Sequence, residues 1–319
     1  MVEGTEGSHH KEGTTKMSKH SMVCAGIDTG KHKLDVALDG HPEQMQVRKH
    51  RAQRIGIEAS GGYEQAVVAT LRRNGFVVIV FQPAQVRAYA KFHLQRAKND
   101  KIDAALIALC SAATKTVHAP PDPRLVPFAA SLTMIEQITE DIARLKTRRE
   151  SCRDQRLRRF WNEEIGRLKS LMRGELKQLI AAIRQHPDFA EQLDLIASVE
   201  GIGHRTAVAI LVRMPEIGSL TREEAAALAG LAPYDDDSGK RLGERHIAGG
   251  RERLRTSLYA ASLPAAFNWN PQIIALYRRL TAAGKSHKAA LVACARKLLI
   301  FANTVVARGT PWVSKTATS

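Results

Sequence analysis

The sequence predicts a mixed α/β domain followed by a long helical linker and a mostly helical C-terminal domain. Three observations carry this. Short apolar runs broken by Gly and Asp fill the first third of the chain. A Pro-rich break, APPDPR at 119–124, ends them. Beyond it apolar residues recur at helical spacing with no strand candidate for about sixty residues.

Taken in order, residues 1–21 are rich in Gly, Ser, Thr, Lys and His without apolar periodicity, and are expected to be a disordered tail. VCAGID, KLDVALDG, MQVRKH, RIGIEAS and FVVIVF are strand candidates, and YEQAVVATLRRNG is an amphipathic helix stopped by Asn74-Gly75. AQVRAYAKFHLQR and DKIDAALIALCSAAT continue as helix, closing an α/β domain over 22–124. Leu132, Ile135, Ile138, Ile142 and Leu145 mark a helical, coiled-coil-like linker over 125–187, rich in Arg and Lys. The final domain, 188–319, opens on LIASVEGIGHRTAVAILVRM. Here Gly201 and Gly203 separate two apolar helical stretches, either as a helix-hairpin-helix whose amides approach a phosphate or as a tight turn between packed helices. Thr221 is an N-cap candidate for LTREEAAALAG. A polar loop, YDDDSGKRLGERHIAGG, then precedes the helices RERLRTSLYAASL and HKAALVACARKLLIFANTVVARG.

Lys and Arg number 48 against 32 Asp and Glu, a net charge of +16 that suits a phosphate-backbone binder. Aromatics are 5%, so contact with phosphate and duplex shape is expected ahead of base stacking. Cys24, Cys110, Cys152 and Cys294 form no CxxC pair, which argues against a zinc ribbon or a disulfide framework and for reduced thiols in a cytoplasmic protein. The longest apolar run, Phe76 to Phe81, is too short to span a bilayer, and no membrane association is expected.

Four carboxylates stand where metal-dependent phosphoryl transfer would need them. Asp28 ends VCAGID and Glu58 ends RIGIE, so neighbouring strand ends could bring them together. Asp100 and Asp103 lie three apart at the start of a helix, on one face. Such hard oxygen ligands suit Mg²⁺ or Mn²⁺. Each acid alone is more often a strand-end or helix-cap residue; the four in this order are the informative pattern.

GIDTGKHKLDVAL, IEASGGYE, KNDKIDA, LAGLAPYDDDSGKRLGERHIAGGRERLRTSLY and RGTPW together resemble the DEDD transposases of the insertion-sequence family related to the Piv/MooV DNA invertases. The likeness runs from Val23 to Trp312. It implies a RuvC-like, ribonuclease-H-like N-terminal domain in which Asp28, Glu58, Asp100 and Asp103 hold the metal, and a C-terminal transposase domain in which Ser238 attacks DNA. It further implies a structured noncoding bridge RNA that pairs with donor and target DNA. Dimers joining as a tetramer are implied too, with each active site built from one subunit's carboxylates and another's serine. Read from its residues alone, Ser238 in Asp-Asp-Asp-Ser-Gly is first a turn residue. Lys240, Arg251 and Arg255 are candidate phosphate clamps, with ordinary surface charge as the alternative.

One departure stands out. A RuvC-like fold carries a crossover helix before the strand bearing the Glu58 equivalent, yet only RAQ separates MQVRKH from RIGIE. Either MQVRKH is an unpaired connector, or the strand order is disturbed and Glu58 sits poorly against Asp28. Three functions follow: a serine recombinase guided by RNA, a hydrolytic junction nuclease using the same acids with water, or a binding protein that has lost catalysis.

Overall fold

The computed structural model describes residues 24–29, 34–38, 54–94, 100–115, 122–234 and 245–314. The expected tail at 1–21 and the strand candidate MQVRKH lie outside them. The chain divides into two compact units, Met1–Ala119 and Pro120–Ser319.

Unit 1 is built on a four-stranded sheet of β1 (Cys24–Thr29), β2 (Leu34–Leu38), β3 (Arg54–Glu58) and β4 (Val77–Phe81), in the order β2-β1-β3-β4. β2 runs antiparallel to β1, while β3 and β4 run parallel to it. The helix expected before Asn74 is α1 (Gln65–Arg73), the crossover from β3 to β4. Asn74 is its C-cap, and Gly75 follows at φ +81°, a left-handed conformation that glycine adopts without strain. α1 covers one sheet face, where Val68 packs with Ala25, Ile27, Ile55, Ile57 and Val78.

Two further helices, α2 (Pro83–Phe92) and α3 (Asp100–Ala113), accompany the sheet. Side chains alternate along a strand, so Gly26 and Asp28 face opposite to Ala25 and Ile27, as Gly56 and Glu58 face opposite to Ile55 and Ile57. α3 packs on that opposite face. Gly26 and Gly56 are register partners, and a Cβ at Gly26 would overlap the Ala104 carbonyl oxygen and the Ala108 amide nitrogen. A Cβ at Gly56 would overlap the Ser111 hydroxyl. The glycine pair is therefore a groove in which α3 lies against the backbone of two central strands.

Unit 2 is helical. α4 (Leu125–Ser151) and α5 (Gln155–Ile183) form a hairpin whose turn is held by Asp154, which accepts hydrogen bonds from the Arg156 and Leu157 amides. Its distal half has its own apolar seam of Ile138, Ile142, Leu145 and Ile165. Its base shares the core of the rest of the unit, since Leu132, Ile135, Leu179 and Ile183 pack in one cluster with residues of the later helices. The stretch read as a linker is thus joined to the C-terminal part by a common core.

The helices after the hairpin are α6 (Pro187–Ala197), α7 (His204–Arg213), α8 (Arg222–Leu228), α9 (Glu252–Pro264), α10 (Pro271–Ala282) and α11 (His287–Arg308), with a π-helical segment at Ala265–Trp269. Thr221 caps α8 as expected, in a reciprocal capping box with Glu224. α11 is long and apolar enough to cross a bilayer, but Leu291, Cys294, Ala295, Leu298, Leu299 and Ala302 are fully buried in the core of unit 2. Its apolarity serves packing on several sides. A short antiparallel pair, β5 (Pro233–Tyr234) and β6 (His246–Ile247), completes the unit. None of Cys24, Cys110, Cys152 and Cys294 is joined in a disulfide.

Candidate functional site

The carboxylate site is assembled by strand register and by the direction of α3. The last paired residues of β1 and β3 are Ile27 and Ile57, so Asp28 and Glu58 follow one position later on adjacent parallel strands. Strand spacing puts their backbones about 5 Å apart. Both are half-buried, on the face that α3 covers. The disturbed strand order that the short connection allowed is not what forms: β3 pairs directly beside β1 and places Glu58 next to Asp28.

α3 runs opposite to the strands. Arg54, at the start of β3, donates from Nη1 to the carbonyls of Ser111 (3.1 Å) and Thr114 (2.6 Å), so the C-terminal end of α3 lies over the beginning of β3. A cation there also matches the partial negative charge of a helix C-terminus. The N-terminal end consequently lies toward the strand ends that carry Asp28 and Glu58. Asp100 opens α3, and Asp103, half-buried, precedes the Ala104 that seats on Gly26. Cys110 registers the charge: its thiol is pushed up to about 11, first by burial and second by the Glu58 carboxylate. Among the described residues no three His, Cys, Asp or Glu side chains close around one point. The backbone places Asp28, Glu58 and Asp103 toward one end of the sheet.

A structured turn follows Glu58. Thr29 and Ser60 hydroxyls meet at 2.7 Å, tying the ends of β1 and β3. Glu64 accepts from the Ser60 amide (2.9 Å), the Ser60 hydroxyl (3.1 Å) and the Gly62 amide (2.9 Å). Burial works against its charge, but these hydrogen bonds outweigh it and hold the carboxyl below its ordinary value. A depressed folded value stabilises the fold above the unfolded pKa of about 4.5, and that contribution is lost as pH falls through the folded value. Glu64→Gln should therefore cost about 1 kcal/mol at pH 7, allowing for partial solvent screening, and the difference from wild type should shrink toward pH 3 in urea titrations run at several pH values.

The second element is the loop bearing Ser238. Ser238 and Lys240 lie outside the described residues, but the chain on either side of them is paired: Tyr234 faces His246 and Pro233 faces Ile247. The expected loop is thus closed at its base by a two-residue antiparallel stem. Behind the stem, Gly230 and Gly250 approach so closely that a Cβ on either would overlap the other loop's backbone, and both have positive φ. The Arg251 amide donates to the Leu228 carbonyl at 2.8 Å. Arg251 gives both terminal nitrogens to Glu216, at 2.7 and 2.6 Å, and Arg255 donates to the Gly249 carbonyl at 2.5 Å. In this structure the two arginines expected to clamp phosphate brace the foot of the loop.

The glycines between α6 and α7 also divide. Gly201 has φ +94°, and a Cβ there would stand 2.5 Å from the Ala265 Cβ, so a glycine is required for packing. Gly203 is exposed, opens onto free space, and is the N-cap of α7. Tight packing and an accessible helix start coexist in one turn.

The sequence reading named the acids but missed the parts that position them. Gly26 and Gly56 each precede their acid by two residues, in Gly-Ile-Asp and Gly-Ile-Glu, hence on the same face. This repeated spacing was a legible signal of a helix seated on the carboxylate face.

Comparison with known proteins finds two family matches along the chain. Residues 193–278 match the model described as Transposase IS116/IS110/IS902 family, and residues 43–156 match the transposase model for IS110-type DEDD proteins. The first match contains Ser238 and the second contains Glu58, Asp100 and Asp103, while Asp28 precedes both. The chain is 27% identical over 267 residues to the pilin gene-inverting proteins of Moraxella bovis and Moraxella lacunata, covering 80% of each chain. It is 31% identical over 140 residues to an uncharacterized 43.6 kDa protein of insertion element IS110 from Streptomyces coelicolor, covering 43% of this chain and 33% of that one. The chain belongs to the IS110-type DEDD transposases, related to the pilin gene-inverting proteins, and is a recombinase that acts on DNA.

Proposed function

We propose that unit 1 is a RuvC-like catalytic domain in which Asp28, Glu58, Asp100 and Asp103 hold a divalent cation, Mg²⁺ or Mn²⁺, and that Ser238 is the nucleophile that cuts DNA. The observation that carries this reading is the placement of Asp28 and Glu58 side by side on parallel strands, on the face over which α3 brings Asp100 and Asp103. The donor set suits a hard cation, and Mg²⁺ keeps several waters and is seated by one or two carboxylates plus substrate phosphate, so the paired strand-end acids fit it without a closed cage. When bound, such an ion supplies charge stabilisation at the phosphate oxygens.

In this reading the Ser238 Oγ forms a bond to phosphorus as the bond from phosphorus to the deoxyribose oxygen breaks, and the leaving oxygen takes up the proton that serine releases. The resulting phosphoserine ester conserves the phosphodiester for rejoining, which hydrolysis by water would not. The braced stem of β5 and β6 holds the serine loop at a defined root, and Arg251 and Arg255 act as positioning residues beneath it. Gly203 and the first amides of α7 would approach backbone phosphate, as would Lys240. A structured noncoding RNA guides the choice of DNA, the active form is a dimer pairing into a tetramer, and the protein works in the cytoplasm.

The test is a denaturing gel of the full chain incubated with Mg²⁺, its flanking element RNA and labelled donor and target DNA. A labelled protein band is expected for wild type and none for Ser238→Ala. Cleaved DNA without a band in wild type would instead mean hydrolysis, with Ser238 reduced to a turn residue.

A further inference from the structure

The composition promised few stacking surfaces, but after α9 the fold leaves two large aromatic rings exposed only two residues apart. α9 ends at Pro264, and the next five residues wind as a π-helix, Ala265–Trp269, that turns Phe267 and Trp269 outward. Phe267 is 51% exposed and Trp269 is 65% exposed. Single π-turns are uncommon and occur often at functional sites. This one is held from beneath. Asn270 is fully buried, donates to the Glu200 carbonyl at 2.9 Å, and accepts from the Gln272 and Ile273 amides to start α10. Gly201 packs on Ala265. The aromatic segment is therefore fastened to the α6–α7 turn, and the exposed Gly203 and His204 follow two and three residues after that contact.

On the Phe267 side the segment meets the α10–α11 turn. Phe267 lies 5.0 Å from the Tyr277 ring and stacks toward His287 at 6.3 Å, and the Tyr277 hydroxyl is 2.7 Å from His287 Nδ1. Arg278 follows Tyr277 and Lys288 follows His287, and both are exposed, as are Arg279 and Lys285. From Arg253 to the end the sequence has ten Lys and Arg and no Asp or Glu. A protein partner of ordinary composition would bring both signs of charge to such a surface. A polyanion with flat apolar rings complements it.

We propose that Phe267 and Trp269 are a stacking platform for unpaired nucleobases of a single-stranded nucleic acid, with the α10–α11 cations following its phosphates. This rests on the reading that the chain works on nucleic acid, and does not depend on the metal site or on Ser238. Duplex bases are already stacked and present only edges in the grooves, so the platform discriminates for single strands.

The experiment measures binding of the full chain to fluorescein-labelled oligo(dT) and oligo(U) of about 15 nucleotides, and to a duplex of the same length, by anisotropy. Trp269→Ala is expected to weaken single-strand binding about tenfold, with Trp269→Phe recovering most of it. Duplex affinity and the slope of affinity against salt should stay unchanged, because the phosphate contacts remain. Whichever of the two oligonucleotides loses more affinity identifies the strand as DNA or RNA. Trp269 is largely exposed, and an unchanged thermal midpoint will confirm that the variant folds. Equal losses on single strand and duplex, or no loss on either, would overturn the platform. So would a variant that binds nucleic acid normally but sediments at a different mass, which would make the patch a protein contact. Failure of the serine adduct test leaves this measurement intact, so the two readings fall separately.

Discussion

Asp28→Asn is expected to reduce metal-dependent DNA cleavage by about a thousandfold or more while leaving the protein folded. Asparagine has nearly the shape of aspartate, so β1 and its contacts with α3 stay in place. On the proposed reading, what is lost is a negatively charged oxygen ligand beside Glu58. Metal-held charge stabilisation at a phosphoryl centre contributes several kcal/mol, and each 1.4 kcal/mol is a factor of ten in rate, so removal of one ligand reaches about three orders of magnitude. Glu58→Gln should match it, and the double variant should be little worse than either single one, because groups acting on one ion fail as a unit. Single-turnover cleavage at several Mg²⁺ concentrations, with circular dichroism melts alongside, makes the measurement. Cleavage at the wild-type rate by Asp28→Asn would place the chemistry elsewhere in the chain.

Gly26→Val should destabilise unit 1 by about 3 kcal/mol and abolish cleavage with it. The added Cβ would overlap the Ala104 carbonyl oxygen and the Ala108 amide nitrogen, both backbone atoms of a hydrogen-bonded helix that no rotamer change can move aside. Either α3 lifts from the sheet or β1 shifts, and both displace Asp103 from Asp28. Gly166→Ala is the matching control with the opposite sign. That glycine is exposed within α5, a Cβ there meets nothing within 4 Å, and alanine should stabilise the helix by up to about 1 kcal/mol. Urea unfolding of both variants decides it. Equal stability of Gly26→Val and wild type would show that α3 does not sit in the glycine groove.

Much of this architecture is written locally. The short apolar runs VCAGID, RIGIE and FVVIVF became β1, β3 and β4, and Asn74-Gly75 and Thr221 mark helix ends because capping is a contact among residues a few positions apart. The acids were legible for the same reason, since Asp28 and Glu58 end apolar strands and Asp100 and Asp103 open a helix. The two-residue stem of β5 and β6 was not, because so short a pairing leaves no periodicity to read in a polar segment.

What the sequence by itself determined, then, is the class and order of elements, the acids that end strands and open a helix, and the family, all of which rest on local pattern and motif. Only the tertiary structure decided that β3 lies beside β1 despite the short connection. It also decided that Gly26 and Gly56 must lack side chains, that Arg251 is committed to Glu216, and that Phe267 and Trp269 stay exposed. These are contacts between residues far apart in the chain. Arginines or phenylalanines look alike in a sequence, and what distinguishes a brace from a clamp, or a core ring from a surface one, is the neighbour that folding brings against it.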